Sequence, residues 1–514
     1  MFRADVPPGD YALTITSTRG FAFVEHTVVP NTSLQLALSH DCSVARGHVS
    51  GEAVRGTTVT FSRYSSFTGD LFVGPVDPPS GEFSLCLPTA KYVVRLEGPV
   101  ISQTHPVTLP ATAAIEIPGW SRATIERAHS NGTGIATADL ASMVTALRDG
   151  PRVLGLGEAN HGTAEFYSQR GVLTLALART GNVRYVLVEA DAMRMWAIDD
   201  YANGGQVDIE TAVAALRFWI TDVREFYQFL TEVRKYNEGV GPAQRLHVLG
   251  IDAQRPEPAA EFLISHRADL SLRQPEIAIL TRVSKDRAAL TTLDGADGKV
   301  LDALLDRLAM ARRADLLTVP ARASIAAKSL RHQLAYGSKS SAAPTLRDVA
   351  MADIATTILN LGGKGRACLW AHNGHVAREV DGGTQTLGQY LARRFPDYYP
   401  IAFLSYEGVA RAWDAAGEIG VIPSRLGPTP SFNLESAIMA EAQFPDVAWV
   451  RLDTASGPLK KWLEIPRYVR EFGSAHTQDN QTLRRFPAAF AAVVVIKNTS
   501  ASTPTPTGER RIEK

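Results

Sequence analysis

The stretch RVLGLGEANHGTAEFYSQRGVLTLALARTGNVRYVLV, residues 152–188, decides the fold of this chain. Residues 152–156 and 183–188 are short apolar runs of the kind that form buried strands. Between them the pattern predicts a helix over 163–179, capped by its first residue and ended by Gly181. A strand, a helix and a second strand of these lengths predict a βαβ unit with parallel strands.

Further apolar runs extend the predicted sheet along the chain. Four of them have the composition of buried strands: residues 246–251, 367–370, 401–404 and 490–496. Residues 257–360 are largely helical in pattern. The alternation predicts an α/β domain over 119–498, with a mostly parallel sheet, helices on both faces and a helical insertion. The Ser-, Thr- and Pro-rich residues 499–514 predict a disordered tail.

The first 118 residues have short alternating runs separated by Pro, Gly and Ser. The predicted strands are residues 11–16, 22–29, 33–38, 45–49, 57–63, 81–86, 92–96 and 114–117. They predict a small antiparallel β-sandwich region. This region resembles the carboxypeptidase-regulatory-like (transthyretin-like) module, with a partial copy at 1–40 and a full copy at 41–118. Cys42 and Cys86 can pair in an oxidising compartment, but we expect buried free thiols.

The beginning of the chain bears on its localisation. Residues 6–11, VPPGDY, form a turn sequence that is typical between strands, and no secretory signal precedes them. We therefore expect that the sequence starts inside a β-domain. The β-modules favour an extracytoplasmic location and the missing signal peptide argues against one, so the sequence leaves the compartment open.

Composition excludes several classes of protein. The 514 residues contain 53 Lys and Arg against 53 Asp and Glu, which argues against binding of nucleic acid by bulk charge. No apolar run reaches the ~20 residues that a membrane-spanning helix needs. Three cysteines without a CxxC pair exclude a disulfide-rich scaffold and a cysteine zinc knuckle. We therefore expect a soluble, globular, multidomain protein.

Ionisable side chains follow four of the predicted strands. In open α/β sheets, ligands bind beyond the carboxyl ends of the strands, so we expect these side chains to meet at one edge. In chain order they are Glu158 and His161, then Glu189, then Asp252, then His372 and His375. Each of them alone could be a core histidine or an ordinary ion-pair partner, but their shared position predicts a site.

The same residues limit the chemistry. Asn160 replaces the third glycine of a dinucleotide fingerprint, and Glu158 would crowd a pyrophosphate. No G-x-S-x-G nucleophile elbow occurs, and Cys368 lies within an apolar strand, where we expect an inert thiol. An imidazole beside carboxylates is suited to removing a proton from water near neutral pH. The pattern predicts hydrolysis by activated water without a covalent intermediate.

These residues resemble the erythromycin esterase family. Residues 157–166, GEANHGTAEF, are similar to its signature GE-x-x-HG-x-x-EF, and Glu189 follows 28 residues after His161. Later segments continue the resemblance, which spans about 125–498: Phe218-Trp219, residues 234–237 (RKYN), 250–252 (GID), 347–352 (RDVAMA) and 370–376 (WAHNGHV).

The resemblance implies an α/β fold and hydrolysis of a macrolide lactone ester, with no cofactor and no metal. His161 takes the position of the general base, and its catalytic companions are Glu158, Glu189, His372 and His375. The residues expected to bind substrate are Arg170, Glu165, Asp252 and Asn373. Gly171-Val172 departs from the more polar family pattern, and some relatives are labelled succinoglycan biosynthesis proteins. The resemblance thus supports hydrolysis better than it supports a macrolide antibiotic as the substrate.

Two alternative functions remain open, and only the first of them uses these residues. The first is a zinc-dependent hydrolase whose ligands come from His161, His372, His375 and a carboxylate, a donor set that zinc accepts. The second is a non-catalytic protein associated with surface polysaccharide, in which the β-modules bind the ligand. The sequence does not specify the ester or lactone substrate or the oligomeric state.

Overall fold

The computed structural model places two compact units. The β unit comprises Met1–Thr133 and Lys461–Arg467, and the α/β unit comprises Gly134–Lys460 and Tyr468–Lys514. The structure describes residues 9–16, 21–28, 39–50, 58–63, 71–77, 79–97, 105–118, 138–309, 316–337, 343–379, 385–413, 421–429, 433–441, 446–456, 460, 462–463, 466–475 and 481–506. The predicted boundary between 118 and 119 stays a prediction, because the residues around it lie outside these ranges.

The β unit consists of small sheets, as the alternating pattern predicts. Its strands are β1 (Gly9–Thr16), β2 (Phe21–Val28), β3 (Ser43–Ser50), β4 (Thr58–Arg63), β5 (Leu71–Pro75), β6 (Glu82–Leu87), β7 (Lys91–Glu97), β8 (His105–Thr108) and β9 (Ile115–Pro118). β1 pairs with β2, while the other two sheets have the orders β6-β3-β9 and β5-β4-β7-β8. All pairs are antiparallel except β3 with β9. β5 and β8 were missed by the sequence prediction, and the predicted strand 33–38 lies outside the described residues.

One hydrophobic core joins the two larger sheets of the β unit. Phe61, Phe72 and Tyr92 are fully buried, and the Tyr92 ring meets both phenylalanine rings edge to face. The Tyr92 hydroxyl donates to the backbone oxygen of Pro88, which satisfies the one polar atom of that ring. Burial of these aromatic side chains stabilises the unit.

The expectation of free thiols in this unit is wrong. Cys42 and Cys86 form a disulfide, with their Cα atoms 5.4 Å apart. The antiparallel register of β3 and β6, in which Val44 lies opposite Cys86, brings Cys42 to the end of the ladder within reach. The sequence could not show this pairing because it depends on the strand register.

We expect loss of this disulfide to destabilise the β unit. Closing a loop across 44 residues restricts the unfolded chain, so Cys42→Ser should lower the unfolding free energy by about 2–4 kcal/mol. Urea unfolding, followed by a probe in the β unit, would measure the loss, with Cys368→Ser as the control that keeps the bridge. Equal stability of Cys42→Ser and wild type without reductant would contradict this expectation, whereas reductant should remove the difference between them.

The α/β unit contains the mostly parallel sheet that the sequence predicts. Its strands are β10 (Val153–Leu156), β11 (Val183–Asp191), β12 (His247–Asp252), β13 (Arg366–Trp370), β14 (Tyr399–Trp413), β15 (Val421–Leu426), β16 (Val447–Arg451) and β19 (Ala492–Thr499). The order is β12-β11-β13-β10-β14-β19-β16, with β15 paired to β14. Only β15 and β16 are antiparallel to their neighbours. A separate two-stranded sheet pairs β17 (Arg467–Arg470) with β18 (Gln481–Arg484).

The described helices include the insertion predicted over 257–360. They are α1 (Leu140–Leu147), α2 (Ala164–Thr180), α3 (Met195–Ala202), α4 (Ile209–Ala215), α5 (Arg224–Glu238), α6 (Glu257–Ser265), α7 (Gln274–Lys285), α8 (Gly295–Ala309), α9 (Val319–Gly337), α10 (Ala343–Leu361), α11 (Asn373–Val376), α12 (Leu387–Arg394), α13 (Leu434–Glu441) and α14 (Phe486–Ala489). Helix α2 crosses from β10 to β11, but β13 lies between these strands, so the βαβ unit skips one position. None of the helices in the described ranges is long and apolar enough to cross a membrane.

The predicted tail is wrong for residues 499–506. Thr499 belongs to β19, and the next residues continue as a segment bound to the loops around α2 and α5. The backbone N–H of Ser502 donates to Gly162, and that of Thr503 donates to the Glu225 carboxylate. Ser and Thr residues give the segment its tail-like composition, but their backbone groups are paired. Residues 507–514 lie outside the described part.

Candidate active site

The carboxyl ends of the parallel strands bring the predicted side chains to one edge. Leu156 of β10 and Val188 of β11 both align with Trp370 of β13, so the loops after these three strands meet. Gly157 follows β10 and leaves no room for a side chain, because a Cβ there would clash with the amide of Asn373. The glycine therefore lets the loops after β10 and β13 pack directly together.

Two short charged contacts join Glu158 to His161 and Arg170. Nδ1 of His161 lies 2.7 Å from one oxygen of the Glu158 carboxylate, and Nη2 of Arg170 donates to the other oxygen at 2.5 Å. All three side chains are buried. Burial raises the pKa of Glu158, but the opposing effects of Arg170 and His161 are larger in sum and hold this pKa below its ordinary value. Glu158 is therefore a buried, charged acceptor for the imidazole.

Several contacts fix the two partners of Glu158. The guanidinium of Arg170 lies over the Trp370 ring, 4.9 Å from its centroid, and its Nε donates to the carbonyl of Phe166 one helical turn earlier. The backbone N–H of His161 donates to Gly473, and the Tyr167 hydroxyl donates to the His161 carbonyl. No described residue hydrogen-bonds to Nε2 of His161, so this atom is available for a reacting molecule.

His372 lies beside His161, with ring centroids 5.2 Å apart. Its Nδ1 accepts the backbone N–H of Gly374, and its Nε2 lies 3.2 Å from the carbonyl of Ala159. This pair of contacts fits a neutral ring with the proton on Nε2. Burial lowers the pKa of His372 to about 4, in agreement with a neutral imidazole.

A second cluster surrounds Arg347. Its Nη2 donates to Glu189 at 2.6 Å and to Asp252 at 2.7 Å, and its Nη1 lies 3.0 Å from Nε2 of His375. Nδ1 of His375 lies 2.9 Å from Asp348. Glu189 also accepts the backbone N–H of His372, which links the two clusters.

The charges of this second cluster set its protonation. Burial raises the pKa of Glu189, but His375 and Arg347 outweigh it and hold that pKa far below its ordinary value. Burial lowers the pKa of His375, but Glu189 and Asp348 raise it by more. The guanidinium of Arg347 lowers this pKa by less than the two carboxylates raise it.

A small cavity opens beside the Glu158–His161 pair. Its interior has about 20 Å³ of space for water, and its empty volume is about 330 Å³ when open solvent at the mouth is included. Its walls combine charged and apolar side chains. They are formed by Glu158, His161, Tyr167, Arg170, Val188, Glu189, Phe218, Ile220, Thr221, Phe226 and Trp370. The interior therefore has room for about one water molecule.

The predicted substrate-binding residues have different surroundings. Arg170 lines the cavity, whereas the Glu165 carboxylate accepts the N–H of Ser500 and does not line it. Asp252 pairs with Arg347, and both ends of the Asn373 amide bond to the backbone of Phe403. Their roles as substrate contacts remain predictions. In the structure, Asp252 and Asn373 make contacts that stabilise the loops of the site.

The sequence interpretation missed four residues that complete the cluster. Arg347 and Asp348 lie in a segment that shares the family pattern, which was a usable signal. Glu471 and Gly473 follow β17, and no pattern marks them. Gly473 has a φ of +56°, and a Cβ there would lie 3.9 Å from Nε2 of His161. The positive φ favours glycine in this turn, while a Cβ at that distance would make only an ordinary van der Waals contact with the imidazole.

The contacts also bear on metal binding. Within the described ranges, no group of three or more His, Cys, Asp or Glu side chains is arranged to hold a metal ion. The ring nitrogens of His372 and His375 already face protein partners, as described above. Zinc ligation by the three histidines would require these contacts to be exchanged.

The family of the chain follows from a comparison with family models. The erythromycin esterase model matches residues 180–499, and the chain belongs to the erythromycin esterase family. The matched span contains Glu189, Arg347, His372 and His375. It starts at the end of α2, later than the predicted resemblance, so the roles of Glu158 and His161 rest on their geometry and on the signature.

Solved structures share this fold at low identity. A protein from Bacillus cereus is 20% identical, with a TM-score of 0.60, covering 73% of this chain and 95% of its own. A succinoglycan biosynthesis protein is 17% identical, with a TM-score of 0.58 and coverages of 71% and 91%. A mutant of the erythromycin esterase EreC in its open conformation is 19% identical, with a TM-score of 0.53 and coverages of 71% and 95%. The α/β fold class is confirmed.

The low pKa of His372 predicts a pH-dependent loss of stability. The unfolded chain binds a proton at this residue near pH 6.5 and the folded chain near pH 4, so falling pH favours unfolding across this window. Urea unfolding at pH 7.5 and pH 4.5 should show that wild type loses on the order of 1–3 kcal/mol more than His372→Gln does. His332→Gln, outside the cluster, serves as the control. An equal loss in wild type and His372→Gln would contradict the assigned state of His372.

Proposed function

We propose that this protein hydrolyses an ester or lactone of a small molecule with water activated by His161. The observation that carries the proposal is the buried 2.7 Å contact between Nδ1 of His161 and the charged Glu158. An anionic acceptor at Nδ1 keeps the proton on that nitrogen and leaves the lone pair of Nε2 free. The free Nε2 is then a base for water.

The reaction follows from this arrangement. Nε2 of His161 removes a proton from water as the water oxygen attacks the acyl carbon, and Glu158 stabilises the resulting imidazolium. The carbonyl oxygen becomes an oxyanion, which the Nε2–H of the neighbouring His372 can stabilise when it exchanges its contact with the Ala159 carbonyl for one with the oxyanion. When the intermediate collapses, the bond to the leaving oxygen breaks and that oxygen takes the proton held by His161. The products are an acid and an alcohol, or a hydroxy acid from a lactone.

The cavity limits the part of the substrate that enters. Its interior of about 20 Å³ has room for the attacking water, and the apolar side chains of Phe218, Ile220 and Phe226 suit a hydrocarbon portion of the substrate. A macrolide would place its ester at the mouth of this cavity and the rest of its ring outside. The family supports a macrolide as one candidate, and simpler esters and lactones fit the same chemistry.

Replacement of His161 should remove the activity. His161→Gln lacks a base, so we expect kcat/KM to fall about 10²–10⁴-fold, and Glu158→Gln should lose activity through misorientation of the imidazole. The assay follows product release from a panel of macrolides, simple esters and lactones. His332→Gln, a histidine paired with Asp353 away from the cluster, is the matched control. Hydrolysis by His161→Gln at the wild-type rate would refute the proposal.

Chelation distinguishes this mechanism from the zinc alternative. Because His161 is oriented by Glu158 and Arg170, we expect dialysis against a chelator to leave the rate unchanged. Metal analysis of the same samples should show no stoichiometric zinc. Loss of activity on chelation, with recovery on addition of zinc, would favour the metallohydrolase.

A further inference from the structure

Glu471 is a buried carboxylate that the mechanism above does not use. It follows β17, and its side chain is 3% exposed. Arg484 of β18 donates twice to its Oε2, from Nε at 3.1 Å and from Nη2 at 2.8 Å. Its Oε1 is buried and has no hydrogen-bond partner in the described part of the chain. A buried carboxylate oxygen without a donor is costly, so its position requires an explanation.

The unpaired oxygen faces His372. Oε1 of Glu471 lies 3.9 Å from Nδ1 of that ring, beyond hydrogen-bond distance but close enough for a strong charge interaction. In the resting arrangement, Nδ1 carries no proton and accepts the N–H of Gly374. Nδ1 therefore has two neighbours. The N–H of Gly374 is a donor and stabilises the neutral ring, whereas the Glu471 carboxylate is an acceptor and stabilises a protonated ring.

We propose that Glu471 is a positioning residue that acts through His372, stabilising this ring as it becomes positively charged beside a developing oxyanion. The inference rests on the proposed hydrolysis, in which the Nε2–H of His372 donates to the carbonyl oxygen. In this step the ring becomes a cation by taking a proton from solvent at Nδ1, which releases the N–H of Gly374. Glu471 can then accept a hydrogen bond from the protonated Nδ1, which pairs its free oxygen. The proton returns to solvent when the oxyanion intermediate collapses.

The other charged groups around His372 do not replace Glu471. Glu189 accepts the backbone N–H of His372 and is shared with Arg347, and the ring centroid of His375 lies 6.5 Å from that of His372. His161 becomes positive during the reaction and opposes charge on His372, because the two rings are 5.2 Å apart. Glu471 is held by Arg484 with one oxygen spare, so it is placed to offset this repulsion.

The first test measures His372 directly and needs no substrate. In ¹⁵N-histidine-labelled full-length protein, the His372 resonance is assigned by its loss in His372→Gln and titrated in wild type and Glu471→Gln. Removing the negative charge should shift the pKa of His372 downward. Glu435→Gln is the matched control, since Glu435 is also a buried carboxylate and accepts the N–H of Arg470. An unchanged titration in Glu471→Gln would overturn the inference.

The second test separates a catalytic effect from a structural one. Glu471→Gln should lower kcat about tenfold with little change in KM, and it should have no further effect when combined with His372→Gln. Glu435→Gln should keep the wild-type kcat. An equal loss in both backgrounds would mean that Glu471 only supports the fold, and would overturn the inference. Full activity of His161→Gln would instead overturn the proposed function, while the titration of His372 would still test the effect of Glu471 on that ring.

Discussion

A carboxylate buried as deeply as that of Glu158 stays charged only when a cation and hydrogen-bond donors surround it closely. Arg170 and His161 provide that environment, and each is fixed in turn by other contacts. The aromatic ring of Trp370 and the backbone of Phe166 hold Arg170, while Tyr167 and Gly473 hold His161. Helix α2 and the loops after β10, β13 and β17 are therefore coupled through one ion pair.

The parallel sheet makes this coupling possible. Its strands end at one edge, so residues from distant parts of the sequence meet without long loops. The arrangement creates two clusters: His161 held by Glu158, and a network in which Arg347 bridges Glu189 and Asp252. Glu189 connects the clusters through the backbone of His372. The neutral state of His372 and the charged state of Glu158 arise from the same burial, balanced differently by neighbouring charges.

The sequence predicted what depends on local pattern and strand order. The buried runs, the βαβ unit and the meeting of Glu158, His161, Glu189 and His372 follow from apolar periodicity and from the rule for strand ends. Register and long-range pairing lay beyond such reasoning. The Cys42–Cys86 bridge depends on how β3 pairs with β6, and Glu471 reaches His372 from a segment without a pattern. Residues 499–506 have the composition of a tail but bind through their backbone, which composition does not reveal.

In the proposed mechanism, Glu158 fixes the proton of His161 on Nδ1 and leaves Nε2 free to accept one. Long-range ¹H–¹⁵N correlation of histidine-labelled protein reports this directly, because protonated and unprotonated ring nitrogens differ widely in ¹⁵N shift. At pH 7.5 we expect a protonated Nδ1 and an unprotonated Nε2 for His161, and loss of this preference in Glu158→Gln. A His161 with its proton on Nε2, or the same tautomer in wild type and Glu158→Gln, would contradict this role of Glu158.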